Sequence, residues 1–161
     1  MLLTTPMQNR NKSQELLVNW NSREARYDFD YSKMRILIVD DSLFDRDLIS
    51  NMLITLGCDP ERITIVHDGQ QAVEWFRQHP CDLAFMDCQM PIMDGHQATR
   101  TIRVFERQHN RKATPIIAFS SDAAPADRFR ALASGMDDFL AKPFRKAGVS
   151  QMVEKWLITS H

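Results

Sequence analysis

The chain has 161 residues, 43% hydrophobic and 25% charged, which is ordinary for one globular domain with a sound core plus an extension. Its formal net charge of −1 provides no global field for nucleic acid or an anionic membrane. No apolar stretch approaches the ~18 residues a membrane helix needs, and residues 1–6 lack a charged-then-apolar signal pattern, so a cytoplasmic chain is expected.

Residues 1–33 are rich in Asn, Gln, Ser, Thr and Arg and carry no strand signal. Within them, residues 13–20 can form a short helix with Ser13 as its N-cap and Leu16, Leu17 and Trp20 on one face. That face is too short to be stable alone. The leader is therefore disordered, a docking helix, or a linker remnant.

From Arg35 the pattern alternates between strand and helix. A first strand is expected over 35–39, then a helix over 43–56 with Leu48, Ile49, Met52, Leu53 and Leu56 apolar, stopping at Gly57. A second strand over 62–66 leads to a helix over 70–78 that ends before Pro80. A third strand over 82–86, a turn over 90–95 and a helix over 96–107 follow. A fourth strand over 115–119 precedes a helix over 125–134, with Pro125 in its first turn and Gly135 beyond its end. A fifth strand over 138–141 and a helix over 146–157 close the series. The strands are short apolar runs, as expected of strands buried on both faces of a parallel sheet. Five such βα units imply an α/β, doubly wound parallel sheet with right-handed crossovers.

Polar residues cluster just past these runs. Ile36-Leu37-Ile38-Val39 ends in Asp40-Asp41, Leu83-Ala84-Phe85-Met86 in Asp87, Ile116-Ile117-Ala118-Phe119 in Ser120, and Asp138-Phe139-Leu140-Ala141 in Lys142-Pro143. Sites in open α/β sheets form at the carboxyl ends of strands. Three carboxylates, a hydroxyl and a lysine therefore converge on one pocket, suited to Mg²⁺ and a phosphate. Packing three carboxylates together should raise the pKa of at least one while no metal is bound.

The other polar residues read more blandly. Cys58, Cys81 and Cys88 show no disulfide or zinc spacing and read as buried or incidental thiols. Arg100, Arg103 and Arg107 recur on one helix face and read as a solvated face near the helix C-terminus. The five histidines show no metal spacing.

Residues 34–158 resemble the receiver domain of two-component response regulators and hybrid histidine kinases. The motifs are Ile38-Val39-Asp40-Asp41-Ser42, Met86 to Gly95, Pro115 to Ser120, and Gly135 to Phe144, in family order and spacing. The resemblance implies a flavodoxin-like sheet of order 2-1-3-4-5 and assigns roles. Asp87 would be the phosphoacceptor. Asp41 and Asp87 would bind Mg²⁺ directly, Asp40 through water, with the backbone carbonyl of Gln89 completing the set. Lys142 would pair with a phosphoryl oxygen, its bond to Pro143 commonly being cis in the family. Ser120 would donate its hydroxyl, and its movement would let Phe139 turn inward. Gln89 and Asp122 sit where the family tunes acyl-phosphate lifetime.

The implied partners are a histidine kinase or histidine phosphotransfer protein and a downstream effector in trans, met by the face of the fourth helix, fifth strand and fifth helix, with no nucleic acid and no membrane. This is a switch rather than an enzyme. No output module follows the last helix, which suggests a stand-alone single-domain response regulator. Two alternatives remain open: the C-terminal receiver of a hybrid histidine kinase, and an interaction module that works without phosphorylation.

Overall fold

The computed structural model describes residues 29–158, so the expected helix over 13–20 lies outside the described residues. The strands are β1 (Ile36–Val39), β2 (Ile63–Val66), β3 (Leu83–Asp87), β4 (Ile116–Ser120) and β5 (Asp138–Ala141). They alternate with α1 (Leu43–Thr55), α2 (Gly69–Gln78), α3 (Gly95–Gln108), α4 (Pro125–Ala133) and α5 (Lys146–Val153). All strand pairs are parallel, in the order β2-β1-β3-β4-β5. This is the flavodoxin-like topology expected from the resemblance.

Burial follows position in the sheet. Every residue of β1, β3 and β4 is buried, because helices cover both faces. The edge strand β2 is only half covered, and β5 is buried in its first half alone. Two apolar layers result. One face packs Leu37, Val39, Ala84 and Met86 against Ala72, Phe76, Ala98 and Ile102 of α2 and α3. The other packs Ile36, Ile38, Phe85 and Phe119 against Ile49 and Leu53 of α1 and Val149 and Val153 of α5. Each such large side chain, fully removed from water, contributes about 1.5–3 kcal/mol.

Local chemistry sets the helix starts. The side chains of Ser42, Asp68 and Asp94 accept hydrogen bonds from the backbone N–H of Asp45, Gln71 and Gln97, capping α1, α2 and α3. Pro125 occupies the first turn of α4 and Gly135, at φ +103°, follows its end. The chain past α5 continues to Ile158 in a wider, π-type turn.

One sequence expectation is overturned. Arg100 and Arg107 are exposed, but Arg103 is not part of a solvated face. Its guanidinium bonds Asp137 at 2.7 Å and Glu106 at 2.8 Å and the carbonyls of Gly135 and Thr114 at 2.9 Å. Those partners stitch α3 to the loops before β4 and β5, and a fork of five N–H donors suits such a junction.

Candidate functional site

Asp40 and Asp41 follow β1, Asp87 is the last residue of β3, Ser120 the last of β4, and Lys142 follows β5. Parallel pairing brings all of these strand ends to the carboxyl end of the sheet. Asp87 lies across from Phe119, and the Lys142 N–H donates to the Ser120 carbonyl at 2.8 Å. Asp40, Asp41 and Asp87 present carboxylate oxygens within 4.8 Å of one another. Asp40 is 1% and Asp87 6% exposed, while Asp41 faces solvent.

Close packing holds Asp87 in place. A Cβ on Gly95 would lie 2.0 Å from the Asp87 carbonyl oxygen, so only glycine lets α3 begin against the end of β3. The backbone N–H of Gln89 donates to Asp87 Oδ1 at 3.2 Å, and that of Ser42 to Asp40 Oδ1 at 2.8 Å. Opposite them, the Lys142–Pro143 peptide is cis. Phe144 then plugs the loop into the core, with its ring 4.3 Å from that of Phe119. Lys142 Nζ reaches Asp40 Oδ2 at 2.8 Å, Asp45 Oδ2 at 3.0 Å and Asp87 Oδ2 at 3.5 Å.

The electrostatics follow from this crowding. Burial, then the charge on Asp40, pushes the Asp87 carboxyl up to about 7, against the pull of the Lys142 charge and the Gln89 N–H. Burial works against the Lys142 ammonium, but the hydrogen bonds it donates to Asp40 and Asp45 outweigh it and hold its pKa above the ordinary value. Three carboxylates, Asp40, Asp45 and Asp87, share the single Lys142 ammonium, so the site is short of positive charge. The donor set of Asp40, Asp41 and Asp87, three carboxylates whose oxygens lie within 4.8 Å of one another, suits a small hard cation such as Mg²⁺.

Ser120 Oγ accepts the Asp122 N–H at 3.1 Å, which leaves its O–H proton to donate. With Gln89, Ser120 lines a cleft of about 300 Å³ between the loop after β3 and α4, which also includes Met90, His96, Asp127 and Arg130. A larger cavity of about 570 Å³ sits at the opposite end of the sheet, among Arg35, Asp59, Glu61 and Trp75, away from the acid cluster. Phe139 is already turned inward, 9% exposed, among residues that include Ala118, Ala131 and Met136. Cys88, beside Asp87, is buried, and burial pushes its thiol up to about 12, so it is no thiolate nucleophile at neutral pH.

Sequence reasoning missed Asp45. Its signal was present as a carboxylate three residues after the Ser42 cap, in the first turn of α1.

The sequence profile of the response regulator receiver domain matches residues 36–154. The chain is 38% identical over 122 residues to the sensor protein GacS of Pseudomonas syringae pv. syringae, covering 76% of this chain and 13% of that protein. It therefore spans well under a fifth of that relative. Among solved structures, it resembles the receiver domain of a sensor histidine kinase from Pseudomonas aeruginosa PAO1, crystallised with a magnesium ion in its active-site cleft. That match has a TM-score of 0.67 and 39% identity, and covers 76% of this chain and 95% of that one. It also resembles the receiver domain of the response regulator Ssk1 of Saccharomyces cerevisiae, co-crystallised with the histidine phosphotransfer protein Ypd1. There the TM-score is 0.74 and the identity 27%, over 81% of this chain and 92% of that one.

Proposed function

The chain belongs to the response regulator receiver family of two-component phosphorelays, and from that premise we propose that Asp87 accepts a phosphoryl group from a phosphohistidine on a kinase or histidine phosphotransfer protein. The observation that carries the reading is the meeting of a buried Asp87 with Asp40, Asp41 and Lys142 at the carboxyl end of the sheet. An Asp87 carboxylate oxygen bonds to phosphorus while the histidine N–P bond breaks, and its electron pair stays on the imidazole nitrogen, which takes up a proton. Lys142 pairs with a phosphoryl oxygen as a compact charge, and Ser120 donates its hydroxyl to another.

Asp41, Asp87 and the Gln89 carbonyl, with Asp40 through water, would hold Mg²⁺. When bound, the cation offsets the negative charge of nucleophile and phosphoryl oxygens. The acid cluster and the magnesium-bound relative support this assignment.

The phosphorylated chain acts in the cytoplasm as a stand-alone switch rather than an enzyme. It presents the α4-β5-α5 face to an effector protein, not to nucleic acid or membrane. Ser120 is its moving part, and Phe139 already lies inward on the neighbouring strand. Phe129, 73% exposed on α4, supports that face as the output surface. No helix among the described residues is long and apolar enough to cross a membrane. Residues 34–158 form the receiver and 1–33 an extension or linker, a division supported by the profile match over 36–154. The GacS match favours a second reading, in which this receiver serves as one module of a hybrid kinase. The mass of the protein in its native cells separates the two.

The test is transfer from a ³²P-labelled histidine phosphotransfer protein in the presence of Mg²⁺. Label should leave the donor, appear on the wild type and fail to appear on Asp87→Asn. Retention of label on cognate donors facing a folded wild-type chain would overturn the reading and favour phosphate-independent interaction.

A further inference from the structure

We propose that Asp45 is a positioning residue that draws the Lys142 ammonium away from the incoming phosphoryl group and thereby slows phosphorylation of Asp87; the inference rests on the function proposed above. Lys142 Nζ lies 3.0 Å from Asp45 Oδ2 but 3.5 Å from Asp87 Oδ2. Its other close partner is Asp40, at 2.8 Å. Asp40 and Asp87 belong to the group of carboxylates that can hold a cation, and Asp45 does not. When the cluster turns to a divalent cation, Asp45 is the carboxylate left to Lys142. A phosphoryl oxygen must then compete with it for the same ammonium.

Two further observations point to this role. The Asp45 carboxylate is not needed to close the start of α1. Ser42 Oγ accepts the Asp45 N–H at 3.3 Å, while the Ser42 N–H, which a capping box would give to the third helical side chain, goes to Asp40 Oδ1 instead. The Asp45 side chain is also 21% exposed against 1% for Asp40, so it sits at the mouth of the pocket, where it can release the lysine to water. A deeply buried partner would lock Lys142, whereas one at the mouth holds it reversibly.

The experiment is a double-mutant cycle on the rate of phosphorylation by acetyl phosphate with Mg²⁺, followed by intact mass, for wild type, Asp45→Asn, Lys142→Ala and the double variant. Asp45→Asn should accelerate labelling roughly 3- to 10-fold when Lys142 is present and by less than about 2-fold in Lys142→Ala. Equal acceleration in both backgrounds would overturn the inference, because Asp45 would then act by repelling the donor directly. An unchanged or slower rate in Asp45→Asn alone would also overturn it.

A second readout does not depend on phosphorylation. In magnesium-free buffer the Lys142 ammonium should give a ¹⁵N–¹H signal protected by its two carboxylates, and Asp45→Asn should broaden it by exchange with water. A signal unaltered by the substitution would refute the contact. Asp45→Ser, which also suits a first helical turn, repeats both arms if Asp45→Asn does not fold. Absence of labelling in the wild type would overturn the functional reading, and this inference with it.

Discussion

Replacing Asp87 by Asn should stabilise the metal-free fold at neutral pH, even though it removes the proposed acceptor. Burial, followed by the Asp40 charge, raises the Asp87 carboxyl from its ordinary 3.8 to about 7, net of the attraction of Lys142. The folded chain therefore binds a proton more tightly than the unfolded chain does. The Asp87 contribution to wild-type stability therefore falls as pH rises from about 4 to about 7, and levels off above that. At about 1.4 kcal/mol per pKa unit, the ionisation cost has a ceiling of roughly 4 kcal/mol. Asn keeps the shape and, through its side-chain oxygen, the bond from the Gln89 N–H at 3.2 Å, while carrying no charge. Urea or thermal unfolding in EDTA across pH 4.5–8.5 should show the two proteins converging at the acid end. At pH 8 the variant should be more stable by about 2–4 kcal/mol, a rise in Tm of roughly 6–12 °C. Parallel pH profiles, or a wild type as stable as the variant at pH 8, would refute the reasoning and mean that Lys142 already neutralises the cluster.

Other perturbations should act through the same geometry. Mg²⁺ at ten times its Kd should stabilise the wild type by about 1.4 kcal/mol, and Asp41→Asn, at an exposed position, should lose most of that increment in thermal titrations while folding normally without metal. Gly95→Ala places a Cβ 2.0 Å from the Asp87 carbonyl oxygen and should cost about 3 kcal/mol or more in urea unfolding, with loss of phosphorylation. Phe144→Ala removes the ring packed at a tilt against Phe119, and should cost about 3–5 kcal/mol and slow labelling by freeing the Lys142 loop.

Much of this architecture is legible in the sequence because buried parallel strands leave an unmistakable trace: Ile36–Val39, Leu83–Met86 and Ile116–Phe119 are uninterrupted apolar runs. The strand ends are less visible. Asp87 and Ser120 belong to β3 and β4, pairing with Phe119 and Ala141, although their polarity suggests loops. Hydropathy reports which side chains are expected to leave water, and these two are polar groups that are buried all the same.

Long-range partners are the least legible. Arg103 lies in a helical stripe with two exposed arginines, yet its partner Asp137 is 34 residues away, beyond the reach of any periodicity argument. Asp45 has the same difficulty, since Lys142 is 97 residues away and only the fold brings them within 3.0 Å. Phe139 is a different case. Its strand position marks it as able to turn inward, but the structure decides that it is already packed there.

The measurement that tests the central claim most directly is intact mass after incubation with acetyl phosphate and Mg²⁺. A gain of about 80 Da should appear on the wild type and be absent from Asp87→Asn and from wild type in EDTA. No gain on the folded wild type, or an equal gain on Asp87→Asn, would contradict Asp87 as the phosphoacceptor.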